Sequence, residues 1–278
     1  MTGYIRPTSL EQALSARAEH PEHVVLCGGT DLLVGSNKHD HPPGIIDLFG
    51  LPEMVGLSEG ADGSVRIGAA TTYAQILESE IAQRELPSLV AASREIGALQ
   101  IQARGTIGGN IGTSSPVGDS LPVLLALDAV IEVASLEHRR LVPYTMFCTG
   151  YRAIDLMPDE LIVAVHIPVR MSGLQQFWRK VGPRKAQSIS KVMVAAALRV
   201  DGGLIVEARF GLGAVAALPV RGYAAESAIL QKPPTQETAD LARAALAGEI
   251  TPIDDVRSTA RYRLRVAQNL VARMILSL

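Results

Sequence analysis

Two short segments concentrate the residues able to hold a phosphate. CGGTDL, Cys27 to Leu32, follows an apolar run with two glycines, a hydroxyl and a carboxylate in succession: Gly28, Gly29, Thr30 and Asp31. GTIGGNIGTSSPVGD, Gly105 to Asp119, holds five glycines among fifteen residues and no aromatic. Glycine lets another group approach the backbone with no Cβ in the way, and successive bare N–H groups can converge on one oxyanion. Thr106, Asn110, Thr113, Ser114 and Ser115 add hydroxyl and amide groups suited to phosphate or ribose oxygens. Asp119 stands either to cap a helix that follows it or to hold a ribose or adenine donor. Paired loops of this kind suit a diphosphate running between two small subdomains. Tight turns without a ligand are the plain alternative, since such spacing needs its structural context.

The elements that must position these loops mix helix and strand periods, with no internal repeat. TSLEQALSARA, residues 8 to 18, predicts a helix capped at Thr8 or Ser9. His23 to Cys27 predicts a strand running directly into the first loop, GIID predicts another ending at Asp47, and SVRIGAATTYAQILES predicts a strand turning into a helix capped near Thr71 or Thr72. A helix over 87–99 precedes the second, glycine-rich loop, and 119–127 reads as helix. AVIEVAS and ELIVAVHIP read as strands. After QQFWRKVGPRKAQSIS the pattern restarts with strands near 192–200 and 204–212, then helices in ETADLARAALA and in the C-terminal segment from Asp255. Arg257, Arg261, Arg263 and Arg265 are expected on the solvated face of the last helix. A domain boundary is placed near residue 172.

Several chemistries lack their residues. No G-x-x-x-x-G-K followed by Ser or Thr occurs, so the chain has no Walker loop. GLGAVA, Gly211 to Ala216, imitates a dinucleotide fingerprint, but Pro219 falls where its helix should run, so it reads as a strand end and loop. There is no G-x-S-x-G elbow. His20 with His23, and His39 with His41, have ligand spacing but no third ligand in a defined context, and no metal is assigned to either pair.

Composition bounds the rest. The chain has 278 residues, 47% hydrophobic and 19% charged, and a formal charge of -2, which argues against a nucleic-acid partner. No apolar run is long enough to span a bilayer and no leader pattern opens the chain, so a cytoplasmic protein is expected. Two cysteines, Cys27 and Cys148, are too few to ligate an iron-sulfur cluster within the chain. Any such cluster belongs to a partner.

CGGTDLL, RIGAATT at 66–72, TIGGNIGTSSPVGDSLPVLLALDA at 106–129 and KVGPRKAQSISKV at 180–192 together resemble the FAD-binding medium subunit of the molybdenum hydroxylases, the family of xanthine dehydrogenase, aldehyde oxidase and carbon monoxide dehydrogenase. The likeness runs nearly end to end. It implies an α+β fold: a two-lobed VAO/PCMH-type FAD-binding domain over 1–172, followed by a smaller C-terminal α+β domain of the CO dehydrogenase flavoprotein type over 173–278.

By the same resemblance, Cys27, Gly28, Gly29, Thr30, Asp31 and Leu32 would line one side of the FAD diphosphate, and Thr106, Ile107, Gly108, Gly109 and Asn110 the other. Thr113 and Asp119 match positions that bond the cofactor's phosphate or ribitol and its adenosine side. Ile162 matches an apolar position against the cofactor, and Lys180 a basic residue reaching it from the second domain. No residue is assigned a catalytic role. The resemblance implies substrate oxidation on a separate large molybdenum-cofactor subunit, of a purine-like heterocycle or an aldehyde. Electrons would cross 2Fe-2S clusters on a small subunit to FAD here, then pass to NAD, quinone or oxygen, within a dimer of heterotrimers. An FAD-binding assembly or accessory protein without turnover, and a stand-alone VAO-type oxidase, are the competing readings.

Overall fold

The computed structural model describes residues 3–34, 42–171, 173–184 and 187–278. The expected boundary residue, Ser172, and the pair His39 and His41 lie outside them. The N-terminal lobe is built from β1 (Gly3–Ile5), α1 (Leu10–Glu19), β2 (Val24–Leu26) and β3 (Gly44–Asp47). Its strands form a parallel sheet in the order β1-β3-β2, which leaves β2 at an edge. Ser9, one of the two expected caps, accepts from Gln12 N and starts α1. Leu10, Ala13 and Leu14 then turn inward onto Ile46 and Leu48.

The second lobe is an antiparallel sheet in the order β4-β5-β10-β6-β7, formed by β4 (Leu57–Glu59), β5 (Val65–Gly68), β6 (Val130–Ala134), β7 (Arg139–Pro143) and β10 (Leu161–Ile167). Between β5 and β6 the chain makes six short helices: α2 (Tyr73–Glu78), α3 (Glu80–Glu85), α4 (Pro87–Glu95), α5 (Leu99–Gln102), α6 (Ile107–Thr113) and α7 (Leu121–Ala126). The helix expected over 87–99 therefore stops at Glu95, and Gly97 takes a φ of 57° that ends it. After β7 come α8 (Tyr144–Phe147) and a small hairpin of β8 (Cys148–Gly150) and β9 (Ala153–Ile154).

The C-terminal sheet is antiparallel, in the order β11-β12-β13-β14. It comprises β11 (Gln175–Val181), β12 (Val192–Asp201), β13 (Leu204–Gly213) and β14 (Val220–Arg221), and is covered by α9 (Tyr223–Ile229), α10 (Gln236–Leu246) and α11 (Ala260–Leu276). β12 is buried on both faces. Val192, Val194, Ala196 and Leu198 face the helices α9 to α11, whereas Ala195 and Ala197 face the core of the second lobe beside α7. That two-sided burial explains its unbroken apolar run. GLGAVA is a strand end and loop, as expected, with β13 stopping at Gly213.

The segment from Gln175, to which the sequence pattern assigns no element, is the edge strand β11, whose charged Arg179 and Lys180 hide its strand character. One expectation needs correction. Arg263 is not solvated. It is 3% exposed, and its guanidinium donates to the carbonyls of Lys191 at 2.8 Å and Ala214 at 3.0 Å and to Asp255 Oδ1 at 2.7 Å.

Candidate functional site

β2 delivers the first loop to the seam between the lobes. Gly28 packs so tightly there that an added Cβ would lie 2.0 Å from the carbonyl oxygen of Arg104. Gly29 takes a φ of 75°, a conformation that L side chains rarely adopt. The first loop thus abuts the segment leading into the second.

The second loop is largely a helix. Thr106 caps α6 by accepting from Gly109 N at 3.1 Å, and Ser114 closes it in the left-handed region. No glycine between Gly105 and Asp119 has a positive φ. Their bareness serves close approach instead: a Cβ on Gly108 would lie 2.6 Å from both Cβ and O of Ala69. Backbone bonds lock this seat, from Gly108 N to Ala69 O at 2.8 Å, from Ile107 N to Thr71 O at 3.1 Å and from Tyr73 N to Gly105 O at 3.0 Å.

A side-chain bond joins the two loops, from Thr113 Oγ1 to Asp31 Oδ2 at 3.3 Å. Between them lies a cavity of about 660 Å³, within the range of small-molecule sites. Cys27, Gly28, Gly29, Thr30, Asp31 and Leu32 line it, as do Thr106, Gly108, Gly109, Asn110, Thr113, Asp119 and Ile162. Two expected residues stand back from it. Ile107 is fully buried in the core beneath α6, and Lys180 donates to Asp119 Oδ2 at 2.6 Å.

Asp119 does not cap α7; Ser120 holds that position without a side-chain bond to the helix. Its other carboxylate oxygen accepts from Ser190 Oγ at 2.8 Å. Burial pushes the Asp119 carboxyl above its usual range, against the opposing pull of Lys180 and Ser190. Asn110 is oriented by Ser120, whose hydroxyl donates to Asn110 Oδ1 at 2.7 Å and lies 3.2 Å from the Tyr73 hydroxyl. Burial raises the Cys27 thiol above its usual value.

Sequence reasoning missed part of the wall. Ile96, Ile101, Ile154 and Leu156 give it apolar surface, and Tyr73, Arg17 and Glu160 reach it as well. Ile96 and Ile101 flank the helix-breaking Gly97, a break that the uninterrupted apolar period over 87–99 concealed. The cavity therefore combines bare backbone with apolar walls. At Gly109 an added Cβ would meet only Thr106 Oγ1, 2.9 Å away. These features accommodate a long ligand with an anionic middle and flat, apolar-faced ends, and FAD is such a ligand.

His20, Glu22 and His23 bring ligand atoms within 4.8 Å of one another. Their two imidazoles are stacked, however, with centroids 4.4 Å apart and planes 8° from parallel. An ion in the plane of one ring lies outside the plane of the other. Among the described residues no helix is long and apolar enough to cross a membrane.

Residues 1–170 match the FAD binding domain in molybdopterin dehydrogenase, and residues 178–278 match the CO dehydrogenase flavoprotein C-terminal domain. The chain is 34% identical over 276 residues to the xanthine dehydrogenase FAD-binding subunit of Escherichia coli O157:H7, spanning 98% of this chain and 94% of that one. It is 30% identical over 275 residues to the nicotine 6-hydroxylase medium subunit of Paenarthrobacter nicotinovorans, spanning 98% and 95%. The fold is similar to a chain of carbon monoxide dehydrogenase from Hydrogenophaga pseudoflava, with a TM-score of 0.92, 29% identity and coverage of 98% and 95%.

Proposed function

Because the chain belongs to the family of FAD-binding domains of molybdopterin dehydrogenases, we propose that FAD lies between its two loops and that the chain is the electron-transferring medium subunit of a molybdenum hydroxylase. Gly28, Gly29 and Thr30 hold one side of the diphosphate, and Thr106 to Asn110 the other. Thr113 and Asp119 serve the phosphate or ribitol and the adenosine side, Ile162 supports the cofactor, and Lys180 contributes through Asp119. The FAD unit spans 1–172 and the second unit 173–278. The observation that carries this reading is the cavity bounded by both loops and tied by Thr113 and Asp31.

Bound FAD supplies the ability to exchange electrons singly or in pairs, while the protein sets its position and surroundings. With only Cys27 and Cys148, the chain cannot hold an iron-sulfur cluster of its own. Electrons come from 2Fe-2S clusters on a small partner, after substrate oxidation on a large molybdenum-cofactor subunit. The assembly is a dimer of heterotrimers in the cytoplasm, its substrate a purine-like heterocycle or an aldehyde and its acceptor NAD, quinone or oxygen.

An absorption spectrum of the purified chain, before and after heat release, with mass analysis of what comes off, tests the first half. Flavin bands and released FAD are expected. A colourless chain that also fails to take up added FAD removes the reading. Co-purification from its native host tests the second half: molybdenum and iron should accompany the chain in stable stoichiometry, and a chain that oxidised a small organic substrate alone would overturn it.

A further inference from the structure

Asp119 is where the wall of the cavity meets the C-terminal sheet. Side chains from that sheet and its connecting loop occupy three of its acceptors: Lys180 Nζ on Oδ2 at 2.6 Å, Ser190 Oγ on Oδ1 at 2.8 Å, and Trp178 Nε1 on the backbone oxygen at 3.3 Å. The same wall is held again on either side. Ala214 N donates to Pro116 O at 2.8 Å, and β13 comes so close that a Cβ on Gly211 would lie 1.9 Å from Pro122 O. Val117, Gly118 and Asp119 line the cavity, whereas Lys180 and Ser190 do not.

We propose that Ser190 is a positioning residue for the flavin: with Lys180 it fixes the Asp119 carboxylate at the cavity wall, so that flavin retention depends on the seating of the C-terminal sheet. This rests on the reading that FAD occupies the cavity. A carboxylate paired through one oxygen alone can turn about its Cβ–Cγ bond and exchange oxygens at the cation. The Ser190 hydroxyl on the second oxygen removes that freedom. Ser190 is 1% exposed, so water does not substitute for it freely.

Its own position is fixed from beneath. The neighbouring Lys191 closes the β11–β12 connection through its N–H to Val181 O at 2.8 Å. The Lys191 carbonyl accepts from the buried Arg263 at 2.8 Å. A continuous path of bonds and backbone therefore runs from α11 through Arg263, Lys191 and Ser190 to Asp119 and the cavity. This gives the buried arginine a role beyond holding its own helix.

The test uses the full chain, stripped of flavin and titrated with FAD. Ser190→Ala should weaken FAD binding about tenfold, the size expected for a lost hydrogen bond to a charged group. Ser190→Thr should restore it, and the flavin-free Ser190→Ala protein should remain folded, its melting temperature falling by no more than one lost hydrogen bond accounts for. A second readout is the pH at which flavin is released on acidification. Loss of the Ser190 donor lets Asp119 take a proton at higher pH, so the release midpoint should move upward; Lys180 and Tyr73 are the other titratable groups facing it. Unchanged affinity and an unchanged release midpoint in Ser190→Ala overturn the proposal. So does a lower melting temperature with unaltered FAD affinity, which would make Ser190 merely structural. A wild-type chain that takes up no FAD overturns the FAD reading itself together with this one.

Discussion

Arg209 on β13 donates through Nε to Asp128 Oδ2 at 2.7 Å, joining the C-terminal sheet to the residue just past α7. Arg221 donates to the other oxygen of the same carboxylate and to the α7 carbonyl of Leu125, and Arg170 adds a third cation at 3.0 Å. Burial alone would raise the Asp128 carboxyl, but the bonds from Arg209 and Arg221 outweigh it and hold the group below its usual range. Its stabilisation is therefore present above the ordinary carboxylate range and lost as pH falls through the depressed value. Asp128→Asn keeps a residue tolerant of the positive φ found there, so it tests charge rather than backbone. It should cost roughly 2–3 kcal/mol at pH 7, because Arg209 and Arg221 would stay largely buried without their counter-ion. Urea unfolding at pH 7 and again on acidification measures this. A cost that did not shrink as the pH was lowered would refute the electrostatic account.

The adjacent glycines of α6 separate fold from ligand. Gly108 faces Ala69 with no space for a Cβ, so Gly108→Ala should destabilise the chain by about 1–3 kcal/mol through overpacking. Gly109 faces the cavity, and a Cβ there meets only the Thr106 hydroxyl. Gly109→Val should therefore cost about 1 kcal/mol, from the weakened cap, yet abolish flavin uptake. Asn110→Ala should likewise lose flavin and keep the fold. Thermal unfolding and FAD titration on the three variants distinguish the roles; unfolding of the Gly109→Val protein would count against a ligand role for that turn.

The glycine loops were legible because bare backbone beside hydroxyls is an unusual composition, and the family resemblance then named the ligand. The helical character of residues 107–113 was not legible. IGGNIGT has poor intrinsic propensity, and it becomes helix through the Thr106 cap and tertiary bonds to Ala69 and Thr71, contacts far away in sequence. β11 was hidden for a related reason. Phe177 packs into the C-terminal core while Trp178 packs against the core of the second lobe, and the charged Lys180 is buried only because Asp119 meets it from another lobe. Arg263 was misplaced although a signal existed. It shares the helical phase of Ala267, Val271 and Met274, all buried, so the period itself put it on the inner face.

That position makes a contrast among the arginines of the last helix. Arg263→Met would leave two carbonyls and Asp255 without their buried donor, and should destabilise the protein by about 3 kcal/mol. Arg263→Lys should recover little of this, since one ammonium cannot reproduce the fork that serves three acceptors. Arg261→Ala and Arg265→Ala, both at exposed positions, should fall within about 0.5 kcal/mol of wild type. Chemical denaturation of the four variants gives the ranking, and equal effects at all three positions would remove the buried-anchor account.

Glu160 gives the clearest pH signature. Its side chain is fully buried, and Arg140 grips both oxygens at 2.7 Å while Met157 N donates to Oε2 at 2.8 Å. The Arg140 guanidinium, aided by that backbone N–H and opposed by burial, holds the carboxyl down at about 2, against 4.5 for a free glutamate. A depressed carboxylate stabilises the fold at pH values above its unfolded pKa, and that contribution drains away as the pH falls from 4.5 towards 2. The full shift corresponds to about 3 kcal/mol, and screening by nearby solvent reduces it to roughly 2. Glu160→Gln should show this deficit undiminished from pH 7 to pH 5, then a narrowing gap to wild type below that. Urea midpoints collected between pH 7 and pH 3 on both proteins test it directly. A gap that stayed constant down to pH 3 would mean that shape and hydrogen bonding, rather than charge, make Glu160 fit its site, and the ion pair with Arg140 would lose its energetic role.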